Sequence, residues 1–204
     1  MKYIFVILLG YLMGSSNMAY YIARIKKADL RGNGSGNLGA SNATLLLGWK
    51  AGILTAVHDI AKAAIAVLIA KWLFPELLHS GAAAGVACVL GHIFPFYLKF
   101  RGGKGFASYF GMTLALNWKF ALVIAALVLV VTLITDYIVC GTLTTIITVP
   151  IYLGIHHHSM MLALILCIAT VVILYKHREN YPRMLNGTEL GLRSAIKGEN
   201  KLNK

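Results

Sequence analysis

Seven apolar stretches, punctuated by glycines and basic clusters, leave this 204-residue chain few ways to fold. They run Tyr3 to Ala23, Trp49 to Phe74, Gly81 to Phe100, Phe106 to Leu116, Phe120 to Thr135, Tyr137 to Ile155 and Met160 to Tyr175. A helix needs about 20 largely apolar residues to cross a bilayer, and most of the stretches are of that order. Composition agrees: 13% of the residues are charged, where a soluble domain carries about 25%. The first stretch could pass for a signal peptide. No small-residue cleavage site follows it and its hydrophobicity continues to Ala23, so it reads as a first membrane helix.

Phe106 to Leu116 is too short to cross a hydrocarbon core of about 30 Å at about 1.5 Å per residue. It is either one end of a long helix with the fifth stretch or a separate helix bent away at Asn117-Trp118-Lys119. Charge decides. Basic residues fall in three clusters: Arg24, Lys26, Lys27, Arg31 and Lys50; Lys99, Arg101 and Lys104; and Lys176, Arg178, Arg183, Arg193, Lys197, Lys201 and Lys204. With the two stretches counted separately, all three clusters share one side, which then holds 15 of the 19 basic residues. Merging them would put the last cluster outside, against the tendency of cytoplasmic loops to carry lysine and arginine. The expectation is an all-α integral membrane protein of about seven transmembrane helices, N-terminus outside and C-terminus cytoplasmic. The short fourth helix would be shielded by protein. Residues 1–186 would form a single membrane domain and 187–204 a polar, partly disordered cytoplasmic tail.

Other readings fall away. A net charge of +12 would suggest nucleic acid in a soluble chain; in an apolar one it suggests loops beside an anionic membrane face. Cys88, Cys140 and Cys167 are widely spaced within apolar runs, offering neither a disulfide framework nor zinc spacing. His156-His157-His158 sits in an outer loop with no carboxylate near it, and reads as a polar turn. No internal repeat is visible, which counts against a transporter built from two related halves.

The chemistry gathers beside the basic clusters. Gly32 to Asn42 is a loop of glycines and small polar residues, including Ser35, Gly36, Asn37 and Asn42. Such a loop can turn backbone N–H groups around an anion, and a helix N-terminus adds positive potential. Gly34 to Gly39 matches G-x-G-x-x-G, but no βαβ unit surrounds it and the dinucleotide reading fails. The second motif is Gly91-His92-Ile93-Phe94-Pro95, then Arg101-Gly102-Gly103-Lys104-Gly105. Lys104 between glycines places a flexible cation beside backbone donors, which suits a phosphate oxygen. His92 is either a general base or phosphate donor, or a core histidine bonded to a carbonyl. The third motif runs Lys176 to Arg183, with Gly187-Thr188-Glu189 beyond. Its helix should stop near Asn180, because Pro182 disfavours helix for the residue before it; His177 and Asn180 then share a face. In the second helix Asp59 and Lys62 lie three apart. Ionisable residues at membrane depth are paired or functional, so they form either a packing ion pair or part of the site.

Together these motifs, in this order and at these intervals, resemble the bacterial acyl-phosphate:glycerol-3-phosphate acyltransferase family across nearly the whole chain. The resemblance implies a seven-helix enzyme of the bacterial cytoplasmic membrane with its site on the cytoplasmic side. It implies transfer of a fatty acyl group from acyl phosphate to the 1-hydroxyl of glycerol 3-phosphate, giving lysophosphatidic acid. The partners are these two substrates and membrane lipid, with no nucleic acid; no metal or organic cofactor is required. The His-x4-Asp signature of the other large glycerolipid acyltransferase family is absent.

Both substrates are anions, so the site must offset their repulsion. Ser35, Gly36, Asn37, Asn42, Gly102, Gly103, Lys104, Asn180 and Arg183 are the expected phosphate holders. His92, His177 and Lys104 are the expected catalytic groups, with Asp59, Lys62 and Glu189 in support. An acyl phosphate is already activated, so orientation and oxyanion stabilisation could suffice without a triad. The proton goes to His92, to His177 or to a substrate phosphate. The chain departs from the family's usual pattern at Leu45, where arginine is usual, at Asn17, near a usual proline, and at Asp136 to Thr142, where Arg-Tyr and serines are usual. Replacing arginine by Asp136 should weaken anion binding. Rival readings are an organophosphate transporter and a membrane scaffold that has lost its activity.

Overall fold

The first apolar stretch is two helices rather than one: α1 (Lys2–Ser15) and α2 (Met18–Ile25). In the computed structural model, which describes residues 1–197 and side chains as far as Ser194, Ser16 and Asn17 are both extended. The Asn17 side chain accepts from Tyr20 N–H and caps α2, the usual role of asparagine before a helix. The break turns the Ser16 carbonyl out of any helical ladder, and a buried lysine uses it. Lys201 and Lys204 of the last basic cluster lie outside the described residues.

The glycine-rich loop does not run straight into the second long helix. A short helix, α3 (Ala40–Leu47), comes between and ends at Gly48, directly before α4 (Trp49–Leu73). The phosphate-type loop therefore leads into α3, not α4. Then follow α5 (Ser80–Ile93), a 3-10 turn at Phe96–Leu98, α6 (Phe106–Leu116), α7 (Trp118–Thr135), α8 (Ile138–His156) and α9 (Met160–His177). Pro95 and the 3-10 turn end α5 earlier than Phe100. Among the described residues there is no strand. Six helices or helix pairs are long and apolar enough to cross a membrane, with α6 shorter.

Separation of α6 from α7 rests on Asn117, whose side chain accepts from Phe120 N–H at 3.0 Å and so starts a new helix. Tyr109, Met112 and Thr113 of α6 are fully buried. A Cβ at Gly111 would strike the Ile60 backbone, so α6 lies hard against α4. Gly10 and Gly14 do the same for α1, where a Cβ would meet the α5 backbone at Ala84 and Cys88. Close backbone approach at small residues four apart is how apolar helices associate where lipid competes for side-chain contact. The core gathers Tyr109, Met112, Ile146, Leu166 and Ile173. Leu122, Val130, Ile151, Leu164 and Val171 are each half or more exposed, a surface suited to lipid and not to water.

Two short helices close the described chain: α10 (Asn180–Leu185) and α11 (Leu192–Lys197). The expected stop near Asn180 comes earlier, at His177, and Pro182 does not end a helix. It sits in the first turn of α10, where a missing N–H costs no helical hydrogen bond.

Candidate active site

One cavity of about 560 Å³ is walled by the three motifs at one end and by apolar helices at the other. Ser35, Asn37, Asn42, His92, Lys104, His177, Asn180 and Glu189 line it, as does Asp59. Its apolar wall includes Trp49, Ile53, Phe106, Phe110 and Val139. Gly36, Lys62, Gly102, Gly103 and Arg183 stand behind the lining and act on it through neighbours.

The glycine loop is shaped by asparagine side chains. Asn42 accepts from Ser35 N–H at 2.9 Å and donates to the Leu30 and Asn37 carbonyls at 2.8 and 2.9 Å. Its amide is thus engaged on both sides within the loop. Asn37 accepts from Gly39 N–H at 3.0 Å and donates to Ser35 Oγ at 2.7 Å. Gly34 and Gly36 hold positive φ, and a Cβ at Gly34 would collide with Asn42 Oδ1; only glycine takes that conformation without strain there. The second motif is tied to the first by Leu38 N–H donating to the Gly102 carbonyl at 3.3 Å. Gly103 N–H donates to the His92 carbonyl at 3.2 Å, and a Cβ on Gly103 would run into the His92 ring at Nε2. These glycines bring backbone against a histidine that faces the cavity.

Asp59 and Lys62 are a buried ion pair at 2.6 Å, and Asp59 also lines the cavity. Lys62 Nζ donates to the Ser16 carbonyl at 2.7 Å and lies 3.0 Å from His92 Nδ1. Its ammonium has three protons and these three acceptors surround it. Asp59 Oδ1 is 3.2 Å from the same ring nitrogen, so the ammonium, the carboxylate and the imidazole all meet within hydrogen-bond distance. His58, which the sequence reading passed over, adds its Nδ1 at 3.5 Å from Asp59. The Ser16 carbonyl, which accepts from Lys62, had as its only signal Asn17 as a helix starter inside an apolar run.

The third motif forms a chain of charge. Lys104 Nζ donates to Asn180 Oδ1 at 2.5 Å, Asn180 Nδ2 donates to Glu189 Oε1 at 2.7 Å, and Arg183 Nε donates to Glu189 Oε2 at 2.8 Å. His177 Nδ1 lies 2.8 Å from the Ile173 carbonyl, one turn back along α9. Burial holds the Lys104 ammonium down to about 8, helped by repulsion from Arg183 and opposed by Glu189 and Glu179. Among the described residues, Arg183 Nη2 is buried with no hydrogen-bond partner, which leaves a cationic donor unmatched beside a second cation.

Two cations, Lys104 in the lining and Arg183 with an unmatched donor behind it, thus stand at the end of the cavity opposite its apolar wall. The profile described as Glycerol-3-phosphate acyltransferase matches residues 4–187. This chain belongs to that family. The Thermoanaerobacter pseudethanolicus glycerol-3-phosphate acyltransferase is 37% identical over 194 residues, covering 93% of this chain and 96% of that one. The Coxiella burnetii (strain CbuG_Q212) protein of the same name is 40% identical over 190 residues, covering 93% and 97%. Among solved structures, the glycerol 3-phosphate form of PlsY (YgiH), an integral membrane glycerol 3-phosphate acyltransferase, superimposes with a TM-score of 0.89. It is 32% identical, with 97% of this chain and 98% of that one covered. The lysophosphatidic acid form of PlsY gives 0.84 at 31% identity, with both chains covered in full. As an acyltransferase of this family, the chain has the all-helical membrane architecture that its apolar stretches imply.

The departures expected from the family's pattern fall in different places, and Asn17 is the cap of α2. Leu45 lines the cavity. Asp136 does not; it stands in the turn between α7 and α8, where its carboxylate Oδ1 accepts from Arg193 N–H at 2.8 Å.

Proposed function

We propose that the chain transfers a fatty acyl group from acyl phosphate to the 1-hydroxyl of glycerol 3-phosphate at the cytoplasmic face of the bacterial membrane. Lys104, which lines the polar end of an otherwise apolar cavity with the unmatched buried donor of Arg183 behind it, carries this reading. The hydroxyl oxygen attacks the acyl carbon, the bond from that carbon to the phosphate oxygen breaks, and lysophosphatidic acid and inorganic phosphate leave. Lys104 and Arg183 balance the negative charge, and charge-assisted hydrogen bonds here are worth about 1.5–3 kcal/mol each. Ser35, Asn37 and the loop backbone complete the anion cradle. Asn42, with its amide spent inside the loop, shapes that cradle instead of touching substrate.

The two histidines take different parts. His177 Nδ1 faces a carbonyl, which can only accept, so the neutral ring carries its proton there and presents a bare Nε2. That nitrogen can take the proton of the attacking hydroxyl. His92 Nδ1 lies 3.0 Å from the Lys62 ammonium and 3.2 Å from the Asp59 carboxylate, and the two together hold the ring in place. With its proton on Nε2, His92 would donate to an oxyanion or phosphate. The basic clusters, gathered on the face that carries the site, support the cytoplasmic orientation.

Purified protein in lipid, given acyl phosphate and labelled glycerol 3-phosphate, should yield lysophosphatidic acid, and Lys104→Ala should lose it. Uptake into liposomes without product would instead support a transporter, and the absence of both product and uptake would support a scaffold.

A further inference from the structure

We infer that Asp136 is a positioning residue, which holds the segment Gly187–Ser194 over the cavity and through it sets Glu189. The segment leaves α10 at Gly187, which has positive φ, and its Thr188 and Glu189 N–H groups donate to the Arg183 carbonyl at 2.8 and 3.0 Å. Beyond Glu189 the chain reaches Asp136. Leu192 N–H donates to the Asp136 carbonyl at 2.7 Å and Arg193 N–H to its carboxylate at 2.8 Å. Gly191 lies so close that a Cβ there would strike Asp136 Oδ2. The Arg193 guanidinium adds a bond to the Leu133 carbonyl at 3.4 Å. One residue thus receives two consecutive backbone donors and sterically requires the glycine before them.

Between these two attachments stands Glu189, buried, lining the cavity, and holding Asn180 with one oxygen and Arg183 with the other. Asn180 in turn takes the Lys104 ammonium. A segment pinned at only one end would let this carboxylate move, and with it both cations. Asp136 therefore does not oppose the bound anion. It lies outside the cavity lining, its charge faces backbone N–H groups, and it orders the residues that hold the cations. Its φ of 69° is one that aspartate tolerates better than most side chains. The consequence reverses the expectation from the family's usual pattern: an arginine here would add a cation yet lose the clasp.

This inference rests on the acyltransferase reading only for its kinetic arm. Asp136→Gly removes the carboxylate while relieving the backbone. It should raise KM for glycerol 3-phosphate about fivefold, the scale of one hydrogen bond, with kcat within twofold and an unchanged thermal midpoint. Asp136→Asn, which keeps an acceptor and tolerates the same φ, should return KM to within twofold of the parent. Asp136→Arg should raise KM at least as far as glycine does. Placed in a Glu189→Gln background, Asp136→Gly should add no further rise. Amide hydrogen exchange over residues 189–193 should quicken in Asp136→Gly whether or not the protein acylates glycerol 3-phosphate. A parent without activity would sink the functional reading and leave this exchange measurement standing. Unchanged exchange and KM in Asp136→Gly, a lower KM in Asp136→Arg, or additive losses with Glu189→Gln would each overturn the assignment.

Discussion

Raising the pH from 7 to 9 should weaken glycerol 3-phosphate binding about tenfold through one side chain. Lys104 sits at the polar end of the cavity, and burial, with Arg183 beside it, lowers its pKa to about 8. The shift is downward, so the cation is present below that value and lost as pH rises through it, whereas an ordinary lysine stays charged to about 10.4. The ammonium fraction falls from roughly nine-tenths at pH 7 to roughly one-tenth at pH 9, on the titration arithmetic of a single site. If the protonated lysine is the form that holds the phosphate, KM for glycerol 3-phosphate rises by the same factor. The assay is initial rate against glycerol 3-phosphate at saturating acyl phosphate, in half-unit steps of pH. Lys104→Arg is the control, because a guanidinium keeps its charge throughout. Its KM should be higher than the parent's at pH 7, since the fork does not fit the space of an ammonium, and flat with pH. A parent KM that stays level to pH 9, or an equal rise in Lys104→Arg, would refute the reasoning.

Removing Lys62 should cost more stability than removing the pair. Lys62→Met leaves the Asp59 carboxylate buried without its 2.6 Å partner. Breaking a buried pair on one side costs about 3–5 kcal/mol, to be read as a lowered thermal midpoint in detergent. Adding Asp59→Asn to that variant should recover part of the midpoint but not activity, because His92 loses the ammonium 3.0 Å from its Nδ1. Leu45→Arg should lower KM for glycerol 3-phosphate, since Leu45 lines the cavity and a guanidinium there adds a cation to the anion cradle; an unchanged KM would make that departure neutral.

The segment count, the break at Asn117 and the three motifs were legible because each leaves a local mark. Apolar length, a capping asparagine and a run of glycines beside basic residues are all properties of adjacent residues. The broken first helix left a fainter mark: Ser15, Ser16 and Asn17 are a short polar break in an apolar run, and Asn17 reads as a cap only once the chain is seen to turn there. Helix α3 was hidden because its first turn, Ala40 to Asn42, has the same small residues as the loop before it. Pro182 misled for the opposite reason. Its local effect is strong, but a helix that restarts at Asn180 puts it where that effect costs nothing.

By itself the sequence determined the solvent of this protein and the character of its ligand. Apolar length demands a bilayer, and glycines with cations at one face call for a small anion. The tertiary structure decided the neighbours. The Asp59–Lys62 pair is joined by His92 and the Ser16 carbonyl, which are 30 and 46 residues away from Lys62 in the chain and meet it only across packed helices. The same holds for Asp136: as a lone charge it looked like an obstacle to anion binding. Only the return of residues 191–193 to the α7–α8 turn shows what its carboxylate holds, because hydrogen bonding depends on distance in space and composition carries no such distance.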